Sequence, residues 1–239
     1  MAQFTREEFE RFLASVDLAL YRSKYSKIKT VEMDLPTNIQ ALDSVYEIYW
    51  ENRGNLAIPP NYDEYYGIYY ERYQNDIETF WHSTGFGLDC DCFKKGLEAR
   101  IYRTWASLVT QIQAGYVAKE IFQDSRIDIS TELDHKKVDI LITKPNGEEI
   151  KIQVKKETKR SEIRRMAGHG PETENNGILS LKYLVPGDFD VDNPIYLRGV
   201  KKGQDKPWVS EFAEDGILKR LPNGFVIFRN KFFDGINIS

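Results

Sequence analysis

Between residues 138 and 156 the hydropathy period changes from helical to strictly alternating, and no other stretch limits the fold as tightly. VDILIT (138–143) is apolar and β-branched, and KPNGE (144–148) is turn chemistry. EIKIQVKK (149–156) places Ile150, Ile152 and Val154 on one face and Lys151, Gln153 and Lys155 on the other. A three-residue Pro145-Asn146-Gly147 turn sets Lys144 opposite Glu148. The same register sets Asp139 opposite Gln153, with Lys155 as a diagonal neighbour. A slip of one residue would send Lys155 to the other face from Asp139, so everything built on this pair depends on register.

The sequence around the hairpin predicts a mixed α/β chain. Leu97, Ile101, Trp105, Leu108 and Ile112 recur at helical spacing and predict a long helix over 93–121, with Glu98 on its flank. Thr5 and Glu8 fit a capping box at the start of an amphipathic helix over 5–20. Tyr65, Tyr66, Tyr69, Tyr70 and Tyr73 share a helical surface, read as packing with the hydroxyls at the surface. ILSLKYLV (178–185) is strand-like, and Pro222-Asn223-Gly224 turns into a final strand, FVIFR (225–229). The expected architecture is a mixed sheet flanked by helices. A helical, tyrosine-rich region over 1–92 precedes and packs on a core over 93–239.

The net charge of −4 conceals a division along the chain. Residues 1–30 carry +2, residues 31–93 carry −10, residues 94–150 are neutral and residues 151–239 carry +4. KIQVKKETKRSEIRR (151–165), directly after the hairpin, holds seven basic side chains against two acidic ones. Local field governs the binding of a polyanion more than total charge does, so a nucleic acid remains an expected partner. No apolar run is long enough to span a membrane, and the first residues lack the apolar stretch of a secretory signal. Two cysteines, Cys90 and Cys92, cannot build a disulfide framework, so a reducing, cytoplasmic setting is expected. A zinc site from these cysteines with His82 and His169 is a weaker idea, because their spacing matches no established one.

The chemistry points to phosphodiesters. Asp139 is a hard oxygen ligand suited to magnesium, and Gln153 offers a neutral amide oxygen. Lys155 brings a cation able to orient water and stabilise charge on phosphate. A glutamine in place of an acid leaves the metal short of negative charge, so a further carboxylate is wanted. Glu98 and Asp134 are the candidates. A solvated strand face is the bland alternative, and the basic run beside it favours the functional reading.

The Asp…Gln-x-Lys arrangement resembles the PD-(D/E)xK nuclease superfamily in a variant with glutamine for the usual acid. More narrowly, the chain resembles the TaqI-type restriction endonucleases. The resemblance is carried by ERFLASVDL (10–18), YSKIKTVEMDLP (25–36), GLEARIYRT (96–104), ELD with VD (132–134 and 138–139), IQVKKET with RSE (152–158 and 160–162) and LPNGFVIFR (221–229). It implies a restriction-endonuclease-like core and a magnesium-dependent type II enzyme that cuts double-stranded DNA at TCGA after the T, leaving 5′-phosphate ends. Asp134 and Asp139 match the family's acidic pair, and Lys155 and Lys156 its lysine pair. The roles that follow are Asp139 as central metal ligand, with Gln153 or the Val154 carbonyl completing the shell. Glu98 and Asp134 hold the metal or its waters, and Lys155 activates the attacking water. Lys156, Lys159, Arg160, Arg164 and Arg165 are expected on DNA phosphates. A palindromic site implies a homodimer, and the family implies pairing with a DNA methyltransferase. The competing expectations are a structure-specific or repair nuclease of the same superfamily and a DNA-binding module without catalysis.

Overall fold

Thr5 begins the first helix as its sequence requires. Its Oγ1 accepts from the Glu8 backbone N–H at 3.2 Å, and Glu8 Oε2 accepts from the Thr5 N–H at 2.7 Å. The helix, α1 (Arg6–Ser15), buries Phe9, Phe12 and Leu13. It does not run to residue 20. The chain breaks at Val16, and Asp17 caps a second helix, α2 (Leu18–Tyr25), accepting from the Leu20 N–H at 2.9 Å. A short acidic side chain here bonds backbone better at a helix start than in a helix interior. The computed structural model describes residues 3–25, 28, 35–83, 90–156, 177–183, 218–234 and 236.

Contacts divide the chain into two units, one of residues 1–113 with 221–225 and the other of residues 114–220 with 226–239. The first holds α1, α2, α3 (Leu42–Val45) running into a π-helical turn (Tyr46–Trp50), α4 (Tyr62–Ser83) and most of α5 (Cys90–Ile121). Its core is aromatic. Phe12 stacks on Tyr49 with centroids 5.6 Å apart, and Tyr62 meets Trp105 at 5.2 Å. The tyrosines depart from the expectation of surface hydroxyls. Tyr62, Tyr65 and Tyr69 are fully buried. Their hydroxyls are bonded inside: Tyr62 to the Glu98 carbonyl at 2.6 Å, Tyr65 with Ser44 at 2.8 Å and Tyr69 to the Ile39 carbonyl at 2.6 Å. The reason is that other elements of the unit bring a polar partner to each ring: the segment before α4 supplies Ile39 and Ser44, and α5 supplies the Glu98 carbonyl. The expected stripe on α5 holds throughout, with Leu97, Ile101, Trp105, Leu108 and Ile112 all buried.

The second unit carries a mixed sheet in the order β1 (Arg126–Asp128), β2 (Ile140–Thr143), β3 (Glu149–Lys156), β4 (Ile178–Tyr183). The first two pairings are antiparallel and the last is parallel. Between β1 and β2 lies a five-residue helix, α6 (Thr131–His135). Ile140, Ile142, Ile152 and Val154 form the buried side of the central strands. A two-stranded ribbon, β5 (Leu218–Arg220) and β6 (Val226–Phe228), belongs to the same unit. Its connecting turn, 221–225, groups with the first unit. There the Asn223 amide donates to the carbonyls of Leu13, Ala14 and Val16 at 2.7, 3.2 and 2.7 Å, closing the C-terminal end of α1. No described helix is long and apolar enough to cross a membrane.

Candidate active site

The β2–β3 turn forms as its residues demand. The Lys144 N–H donates to the Glu148 carbonyl at 2.8 Å and the Gly147 N–H to the Lys144 carbonyl at 2.9 Å. Gly147 takes φ +87°, a conformation that favours glycine. The pairs Ile140–Ile152, Leu141–Lys151, Ile142–Ile150 and Thr143–Glu149 give the expected register. The pairing ends at Ile140: the Asp139 N–H donates at 2.8 Å to the carbonyl of Ile152, the residue Ile140 already faces, so Asp139 leaves the regular ladder in the manner of a bulge instead of standing squarely opposite Gln153 as expected.

The break in the ladder lets the Asp139 carboxylate turn back onto β3, where Oδ2 accepts from the Val154 N–H at 2.6 Å. Asp139 is buried, with 6 % of its surface exposed. Burial pushes its carboxyl up from the ordinary 3.8 to about 6, the Val154 N–H draws it down, the neighbouring Asp134 carboxylate raises it and the Lys155 ammonium lowers it. One group therefore feels an amide, a second acid and a lysine together. Asp134 and Lys155 are half-buried, as is Gln153. Asp134 reaches this position on α6, whose Ser130 cap accepts from the Leu133 N–H at 3.3 Å.

On β4, Ser180 is the register partner of Gln153. Its Oγ is buried and has no hydrogen-bond partner among the described residues. Sequence reasoning passed over this serine, because a parallel partner strand cannot be aligned by any turn. Two carboxylates, an amide oxygen, a strand carbonyl and a hydroxyl make an all-oxygen donor set. A hard divalent cation takes such donors, and a buried acid pair is what it would neutralise. Among the described residues no three His, Cys, Asp or Glu side chains cluster to hold a metal, so the strand's own oxygens are needed to complete the set.

Glu98 belongs to the first unit. There its Oε1 accepts from Lys24 Nζ and from the Tyr25 hydroxyl, each at 2.7 Å. Asp63 shares Lys24 at 3.3 Å and accepts from the Tyr21 hydroxyl at 2.8 Å. Lys159, Arg160, Arg164 and Arg165 lie outside the described residues, as does His169, and of Lys156 only the backbone at the end of β3 is described. Cys92 is exposed on α5 and His82 is exposed on α4.

An acid at the start of one strand and a lysine on the next, with a second acid beside them, are groups that can serve phosphodiester hydrolysis. The sequence profile of the TaqI restriction endonuclease family matches residues 6–238. The chain is 33 % identical over 231 residues to the type II restriction enzyme TthHB8I of Thermus thermophilus, covering 97 % of this chain and 86 % of that one. It is 31 % identical over 237 residues to the type II restriction enzyme TaqI of Thermus aquaticus, covering 99 % and 88 %. No solved structure gives a significant match. The chain belongs to the TaqI restriction endonuclease family.

Proposed function

We propose that this chain is a type II restriction endonuclease that hydrolyses double-stranded DNA at TCGA with magnesium, leaving 5′-phosphate ends. The observation that carries this reading is Asp139, buried against the Val154 N–H with Asp134 and Lys155 acting on it. Asp139 and Asp134, with the Val154 carbonyl and Gln153, would hold the ion. Bound magnesium supplies neutralisation of phosphate charge and a water of lowered pKa. The tie to Val154 occupies one oxygen of Asp139, and the other would take the ion. Lys155, from the same strand, orients the attacking water and stabilises negative charge as it builds on the phosphate. Attack at phosphorus breaks the bond to O3′, giving a 3′ hydroxyl and a 5′ phosphate. Glu98, the further carboxylate expected for the metal or its waters, belongs to the other unit, where its Oε1 is bonded to Lys24 and Tyr25.

Lys156, Lys159, Arg160, Arg164 and Arg165 are assigned to DNA phosphates, on the charge of their segment. A palindrome is matched by two-fold protein symmetry, so the working form is a homodimer. A partner DNA methyltransferase would protect the host's own sites, and the cytoplasm is where both would act. The test is a digest of plasmid DNA in magnesium, with the cut ends sequenced. Discrete fragments ending at TCGA support the reading. Nicks or a smear indicate a structure-specific nuclease, and a gel shift without cleavage indicates a binding module.

A further inference from the structure

The turn between the two acids holds a lysine where a glycine is favoured. After α6, Lys136 is the last half-helical residue and Lys137 follows with φ +62°. The Lys137 N–H donates to the Asp134 carbonyl at 2.8 Å and the Val138 N–H to the Leu133 carbonyl at 2.9 Å. These two bonds are the Schellman closure of a helix, and Val138 is buried behind it as that motif requires. The position just past the helix takes left-handed backbone, where a Cβ carries a steric penalty that glycine avoids. A cation past a helix end is favoured by the last carbonyls, but α6 has only five residues, so that gain is small and does not call for left-handed backbone.

His135, Lys136 and Lys137 are all exposed, and among the described residues neither lysine takes part in an ion pair. The cation that acts on Asp139 is Lys155. Lys137 stands two residues before Asp139, on the exposed turn that leads directly into that acid. An outlying backbone conformation beside a reacting centre is a sign of a side chain held for use.

We propose that Lys137, with Lys136 beside it, is a DNA-backbone contact that seats the strand against the acid pair. This rests on the nuclease reading above and adds to it a contact outside the basic run of 151–165. Lys137 is a binding residue, and sequence-independent affinity is its contribution.

The experiment measures binding of the full-length chain to a short duplex containing TCGA, in EDTA so that no cleavage occurs, across about 50 to 200 mM salt. Lys137→Gly removes the ammonium and relieves the backbone. The expected result is a Tm equal to or above that of the unsubstituted chain. Binding should weaken several-fold, with a salt slope smaller in magnitude by about one. Lys137→Asn, which also tolerates left-handed backbone, should behave likewise, and Lys137→Arg should restore the slope. An unchanged slope in Lys137→Gly, with the unsubstituted chain binding normally, overturns this proposal and leaves the nuclease reading standing. A fall in Tm for Lys137→Gly also overturns it, by removing the strain on which it rests. Failure of the unsubstituted chain to bind the duplex overturns this proposal, and failure to cleave plasmid DNA in magnesium as well removes the nuclease reading with it.

Discussion

Replacing Asp139 by asparagine should stabilise the metal-free protein at neutral pH while ending its chemistry. The carboxyl is buried and titrates at about 6 rather than the ordinary 3.8. That value already contains the opposing pulls of the Val154 N–H and Lys155. At about 1.4 kcal/mol per pH unit, the gap makes the ionised side chain about 3 kcal/mol costlier in the folded chain than in the unfolded one. The folded state holds the proton more tightly here. Its contribution to stability is therefore complete below 3.8, falls as the pH rises and is gone above about 6. Asparagine keeps an oxygen for the Val154 N–H and carries no charge. In EDTA, Asp139→Asn should raise Tm at pH 8 by several degrees, up to about 10 °C, with the advantage shrinking towards pH 4. Thermal unfolding of both proteins across that range is the assay. Magnesium should then raise the Tm of the unsubstituted protein more than that of the variant. A Tm difference independent of pH, or a less stable variant at pH 8, would show that burial of charge does not govern this residue.

Lys155→Ala and Asp139→Ala should each abolish plasmid cleavage while the circular dichroism spectrum stays that of the folded chain; cleavage at the normal rate by Lys155→Ala would refute its role. Lys159→Ala should weaken binding to all DNA sequences and flatten the salt dependence by about one power, as gel shifts at several salt concentrations will read. Asn223→Ala removes an amide shared by three carbonyls at the end of α1, of which Leu13 and Val16 keep a backbone N–H, and should cost about 1–3 kcal/mol in chemical denaturation. Tyr69→Phe leaves the Ile39 carbonyl without its donor and should cost a similar amount, about 1–3 kcal/mol, by the same measurement.

The hairpin was legible because two independent signals agreed, strict alternation along β3 and the Pro-Asn-Gly turn, and together they leave one register. The long stripe of α5 and the Thr5–Glu8 box were legible for the same reason. What escaped was short or lacked a local signal. A three-residue β1 and a five-residue α6 offer too few positions for any period to show. The acid at 17 that splits the first helix can be read as a start signal only once a break is suspected. Burial of the tyrosine hydroxyls depends on carbonyls contributed by residues distant in sequence, such as Ile39, which pairs with Tyr69. The left-handed turn at Lys137 was hidden because lysine is not a residue that announces it. Within the candidate site, the pairing of β2 with β3 was legible from the turn, whereas the departure of Asp139 from the ladder and the place of Ser180 on the parallel partner β4 had no local signal.

The amide of Asn223 that closes α1 lies 210 residues from Leu13 in the chain. The last turn of the first helix is therefore finished by a side chain far along the chain, and its full closure reports on the seating of the 221–225 turn as much as on local helix propensity.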